Sequence, residues 1–202
     1  MIDLATMQLN CVIESKHLCL KPMDKKYLDF YIKWLNDPEI NSHLGPIIGS
    51  LFTREKGEEW YDNMKSQGNR RIFTLHPKEE GAEPIGYCGL YRIDHRHNRA
   101  TIQVIIGEEE YRGKGLGTET TELLLDYGFS ALSLNTISLS FMEINEKARK
   151  VSEKIGFHRA GRLRDYWKVD GEYCDRVLMD ITREEFYDEK EQRLADACFQ
   201  AG

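Results

Sequence analysis

The stretch Val104–Thr118, VIIGEEEYRGKGLGT, constrains this chain more than any other. A short apolar run enters a turn holding Gly113, Gly115 and Gly117, and a helical pattern begins at once. Strand, tight turn and helix in that order predict a mixed α/β fold with helices packed on a sheet. Glycine admits positive φ and close backbone approach. A helix start presents unpaired N–H groups and the positive end of the helix dipole. Together they form an anion cradle of a kind that suits phosphate, and Arg112 and Lys114 add positive charge beside it. A turn that merely lets the helix pack on the sheet would read the same, so the feature alone does not decide. Two common phosphate loops are excluded. G-x-x-x-x-G-K-[ST] is absent, and G-x-G-x-x-G fails because Gly115 and Gly117 are followed by Thr120.

The rest of the chain alternates strand and helix patterns. Strands are predicted over residues 16–21, 72–75, 85–92, 100–107, 136–141, 157–169 and 173–181, the last two flanking the hairpin dipeptide Asp170-Gly171. The apolar strand 100–107 reads as buried on both faces. Asp24 and Thr53 are predicted helix N-caps, Asn36-Asp37-Pro38 a helix stop, and Gly156 the end of a helix that begins near Asn145. Trp34, Trp60 and Tyr61 read as helix-face core. The expected architecture is one α/β domain over residues 1–202, with its core at about 15–187. A central twisted mixed sheet of about six or seven strands carries helices on both faces.

Composition excludes several classes. The formal charge is −6 with no long basic run, so a nucleic-acid partner is not suggested. The N-terminus lacks a signal-peptide pattern and no stretch is long and apolar enough to span a membrane, so a cytoplasmic protein is expected. Five cysteines without C-x-x-C spacing imply neither a disulfide framework nor a zinc site, and reduced thiols are the simplest reading. His95-x-His97 has no third ligand type beside it and reads as a surface turn, so no metal is expected.

With these elements in place, the chain resembles the Gcn5-related N-acetyltransferases. Arg112-Gly-Lys-Gly-Leu-Gly117 matches the family's (Q/R)-x-x-G-x-(G/A) coenzyme A signature, and Asn145-x-x-Ala148 followed by Glu153-Lys154-Ile-Gly156-Phe157 matches its second half. Trp34-Leu-Asn-Asp-Pro38 and the segment Thr53 to Trp60 resemble the branch that acetylates ribosomal-protein N-termini. The likeness covers about residues 15–187.

The resemblance implies an enzyme that moves an acetyl group from acetyl-coenzyme A to a primary amine by direct attack on the thioester. The acceptor would be a protein N-terminus, or a small molecule such as a polyamine, amino sugar or antibiotic. It implies that the pantetheine arm lies between two splayed parallel strands, here through Val104, Ile105 and Ile106 and through residues 137–141. The pyrophosphate would rest on the backbone of Arg112, Gly113, Lys114, Gly115, Leu116, Gly117 and Thr118, and Asn145 would hold the pantetheine or an ordered water. A backbone N–H near Ile105 or Ile106 would polarise the thioester carbonyl. Where many relatives carry a tyrosine that protonates the departing thiolate, Ser152 stands here. Where many carry a basic glutamate, Thr101 stands, so Glu143, just past a strand end, is the expected base. Glu108, Glu109 and Glu110 read as a solvated turn. The acceptor pocket is expected between residues 41–51 and 166–173, with Asp165, Asp170, Glu172 and Asp175 as candidate anchors for a cation. Relatives are often monomers or dimers, so a homodimer stays open. The two departures at Thr101 and Ser152 also keep open a non-catalytic acyl-coenzyme A sensor.

Overall fold

The computed structural model describes residues 13–40, 51–79, 81–169 and 171–200, with side chains through Arg193. Strands are β1 (Ile13–Glu14), β2 (Leu18–Pro22), β3 (Arg71–Pro77), β4 (Gly86–Asp94), β5 (Arg99–Ile106), β6 (Thr136–Met142), β7 (His158–Val169) and β8 (Glu172–Thr182). Helices are α1 (Leu28–Asn36), α2 (Arg54–Ser66), α3 (Leu116–Ser130), α4 (Glu146–Ile155) and α5 (Arg183–Gln200). Among the described residues the sheet has eight strands, where about six or seven were expected. The added one, β1, is two residues long and too short to show a period.

Local chemistry sets the helix ends. Asp24 caps a 3-10 turn rather than α1 itself, its carboxylate accepting from Lys26 N at 3.0 Å. Thr53 accepts from Lys56 N and starts α2. Asn145 Oδ1 accepts from Ala148 N at 2.9 Å and starts α4, which ends on Gly156 at φ +105.

The sheet order is β1-β2-β3-β4-β5-β6-β8-β7, and among the described residues β5–β6 is its one parallel pair. Side chains alternate across it, so neighbours serve different cores. Cys88 and Leu90 join Leu124, Leu125 and Phe129 of α3 and Phe186 of α5. Tyr87 and Ile105 join Leu28, Tyr31 and Trp34 of α1 and Tyr61 of α2 on the opposite face. Helices thus cover both faces, and Trp34 and Tyr61 are core residues. The cover is incomplete over β5. Thr101 and Gln103 remain partly exposed, so the strand face toward α1 and α2 is buried at Ile105 and not along its whole length.

Cys88 and Cys174 are free and buried. Cys19 is disulfide-bonded, a departure from the reduced thiols expected. A single bridge leaves no spacing pattern in a sequence. Among the described residues no helix is long and apolar enough to cross a membrane.

His76 lies 2% exposed in β3 against the ring of Tyr27, and among the described residues neither ring nitrogen makes a hydrogen bond. Burial, with Lys21 nearby, pushes its pKa down to about 4. The unfolded chain would bind the proton near 6.5. The contribution of neutral His76 is therefore present above pH 6.5 and lost as pH falls toward 4. Urea unfolding should show the protein about 2 kcal/mol less stable at pH 5 than at pH 7. A His76→Gln variant should lose most of that difference, and an equal pH dependence in the variant would remove His76 as its source.

Candidate active site

β5 and β6 pair through Arg99↔Thr136, Ala100↔Ile137 and Thr101↔Ser138, and there the pairing stops. Each strand continues, β5 to Ile106 and β6 to Met142, held on its outer side only. β4 holds β5 as far as Gly86↔Ile106, and β8 holds β6 as far as Met142↔Arg176. A cleft therefore opens between two strands that are each braced from outside. Val104 and Ile106 pack partly against the α3 core, and Ile105 is buried under α1 and α2. Gly86 brings β4 and β5 together at the cleft's end, because a Cβ there would overlap the carbonyl oxygen of Ile105.

The glycine turn follows β5. Gly113 and Gly115 stand at φ +74 and +83, conformations that L side chains rarely adopt. Gly115 is the N-cap of α3 and has no side chain to cap it, so the first-turn N–H groups carry no bond from the cap residue. A Cβ on Gly113, Gly115 or Gly117 would meet nothing within 4 Å. The three glycines thus face open space, with donors below it. That is the cradle an anionic group such as a pyrophosphate requires. Lys114 Nζ lies 5.6 Å from the Tyr111 ring centroid, Leu116 packs partly into the α3 core, and Thr118 is half-buried.

Arg112 does not add charge to the cradle. Its guanidinium turns back into the protein, donating to Ile106 O at 3.1 Å, Gly107 O at 2.7 Å, Asp37 Oδ2 at 2.8 Å and Glu39 Oε2 at 2.7 Å. Burial works to raise the Asp37 pKa, but the hydrogen bonds from Arg112 and the backbone N–H of Glu39 outweigh it and hold the carboxyl below its usual range. Next to it the Trp34 ring covers Gly107, where a Cβ would overlap the indole, and Trp34 Nε1 donates to Glu108 Oε1 at 2.8 Å. Lys33 Nζ holds both oxygens of Glu108. Against the pull of burial, these bonds keep Glu108 ionised below the ordinary glutamate range. Glu108 is a structural anchor of α1, not a solvated turn residue.

Asn145 precedes and Ser152 lies within α4, the helix that follows β6. The Asn145 carbonyl oxygen caps α4. Ser152 is 3% exposed, and its hydroxyl donates to Ala148 O at 2.8 Å within the helix. Glu143 follows β6 and is ion-paired with Arg159 and Arg162 at 3.5 and 3.2 Å. Asp175 accepts from Asp165 N and Arg162, which hold its pKa down, so its charge is already matched. Residues 41–50 and Asp170 lie outside the described residues. His97 pairs with Asp94 at 2.8 Å. His95 lines a cavity of about 690 Å³ with Arg92, Thr101, Thr136 and Ser138. Sequence reasoning missed Asp37, Glu39 and Lys147 as neighbours of this turn. The one signal was that Trp34–Pro38 resembled the family.

Comparison with known proteins agrees with this geometry. Residues 17–158 match the acetyltransferase (GNAT) domain family. The spermidine N(1)-acetyltransferase of Escherichia coli K12 is 35% identical over 126 residues, 62% of this chain and 66% of that protein. The putative ribosomal N-acetyltransferase YdaF of Bacillus subtilis is 34% identical over 105 residues, 52% of this chain and 57% of that protein. The crystal structure of the Vibrio cholerae spermidine N-acetyltransferase, in complex with CoA and spermine, superposes with a TM-score of 0.78 at 26% identity, covering 86% of this chain and 99% of that one. A family match across most of the chain, a parted parallel strand pair and an open glycine cradle lead to one conclusion: the chain belongs to the GNAT acetyltransferases and is an acetyl-coenzyme A-dependent N-acetyltransferase.

Proposed function

We propose that the acceptor is the primary amine of an aliphatic polyamine. The supporting observation is the likeness to spermidine N-acetyltransferases in both sequence and structure. Acceptor specificity lives in the site rather than the fold, so this reading must be tested on substrates. Thiol release from acetyl-coenzyme A should be measured with spermidine, spermine, short peptides with free N-termini, and amino sugars. Turnover with the polyamines well above the others is the expected result. Turnover with peptides alone would replace this acceptor with a protein N-terminus, the reading that the likeness to the ribosomal enzyme favours.

On this reading the backbone from Arg112 to Thr118 would hold the pyrophosphate of acetyl-coenzyme A, and the cleft beside Val104–Ile106 would hold the pantetheine. The bound cofactor supplies a thioester carbonyl to the attacking amine. This chain's part is to orient that carbonyl and to take up a proton. A backbone N–H at the end of β5 polarises the carbonyl. Glu143 receives the amine's proton through water from its place at the end of β6. The Ser152 hydroxyl serves the departing thiolate by exchanging its present bond to Ala148 O.

Asn145 holds the pantetheine through its amide donor while its carbonyl oxygen caps α4. An Asn145→Asp variant keeps the cap acceptor and loses the donor. Its thermal midpoint should stay within a few degrees of the parent, while KM for acetyl-coenzyme A rises about tenfold, the cost of one hydrogen bond to the ligand. An unchanged KM would leave Asn145 as a cap only.

A further inference from the structure

Glu39 lies two residues past Asp37, which ends α1, and its carboxylate touches elements from both sides of the cleft. Oε2 accepts from Arg112 Nη1 at 2.7 Å, in the turn that follows β5. Oε1 accepts from Lys147 Nζ at 3.0 Å, in the helix that follows β6. The two strands themselves do not pair beyond Thr101 and Ser138. One side chain therefore joins two walls that the backbone leaves apart. Arg112 carries the bridge to the last carbonyls of β5, at Ile106 and Gly107, and Asp37 fixes the same guanidinium from α1.

We propose that Glu39 is a positioning residue of the transfer, a strap that holds the cleft at the width the pantetheine arm needs. The inference rests on the placement of the cofactor between β5 and β6. The Glu39 side chain is 47% exposed and Arg112 17%, so the pair with Arg112 is the better shielded and that with Lys147 the weaker. A rival role predicts the opposite sign. If Glu39 merely masked Arg112 and Lys147, its removal would bare two cations beside a polyanionic ligand and tighten binding.

The test is calorimetric titration of coenzyme A into the parent, Glu39→Gln, Lys147→Gln and the double variant, with thermal unfolding of each. A strap predicts that Glu39→Gln raises Kd about three- to tenfold. Lys147→Gln then adds little in the Glu39→Gln background, because both remove one bridge. Turnover at saturating acetyl-coenzyme A should stay within about twofold, so the loss falls on KM rather than kcat. Equal or tighter binding by Glu39→Gln overturns the proposal, as does full additivity of the two variants. A Gly117→Leu control separates the premises. If that variant binds coenzyme A like the parent, the placement fails, whatever Glu39 does.

Discussion

Gly117→Leu is expected to fold as stably as the parent, to within about 1 kcal/mol, and to bind coenzyme A about a hundredfold more weakly. Gly117 is the second residue of α3 and is not among the positive-φ glycines. A Cβ there meets nothing within 4 Å, so the apo-protein has room for leucine. Leucine is also the better helix former. Only a ligand seated on the first-turn N–H groups would collide with the added side chain. Gly113 and Gly115 test the same idea less cleanly, because at φ +74 and +83 any side chain strains the backbone by about 1–2 kcal/mol before a ligand arrives. Calorimetry with coenzyme A and a thermal melt of the same sample decide the matter. Parent-like affinity would move the phosphates away from this turn.

Gly86→Val should act in the reverse sense, on the fold first. Its Cβ would overlap the carbonyl oxygen of Ile105, and the backbone N of Gly107 lies 3.2 Å away. Backbone atoms cannot swing aside as a side-chain tip can, so β4 and β5 must move apart. We expect a loss of about 3 kcal/mol, at the high end for overpacking. In a chain of this size that lowers the melting midpoint by about 6–12 °C. The displaced wall is the one that carries Ile105 and Ile106, so acetyl-coenzyme A should bind more weakly too. A midpoint within 2 °C of the parent would mean that the close approach is not rigid.

Much of this was legible in the sequence, and the residues that were not share a reason. Thr53, Asn145 and Gly156 act within a turn of their own position, so local rules found them. The strand–turn–helix at Val104–Thr118 is likewise local. Arg112 misled because it stands at the start of the glycine turn, while its partners Asp37 and Glu39 lie 75 and 73 positions upstream. Glu143 stands at the strand end as read. Its pairing with Arg159 and Arg162 depends on how β7 lies across β8, which no periodicity encodes. Glu108 looked like one of three equivalent acids, and only the docking of α1 singles it out. Side-chain roles that rest on a neighbour in space remain hidden until topology is known.

That topology also orders events in time. β8 lies between β6 and β7, so the closing hairpin joins the sheet through its second strand. A ribosome delivers β7 before β8. Until the chain has emerged past Thr182, β6 has β5 beside it over three registers and no partner on its other edge. The N-terminal half, from β2 to β5, is built of neighbours in sequence and can assemble as it appears. One wall of the cleft thus forms early, and the other gains its brace among the last steps of synthesis. A nascent chain halted before β8 would carry the complete cofactor turn and a cleft with only one firm side.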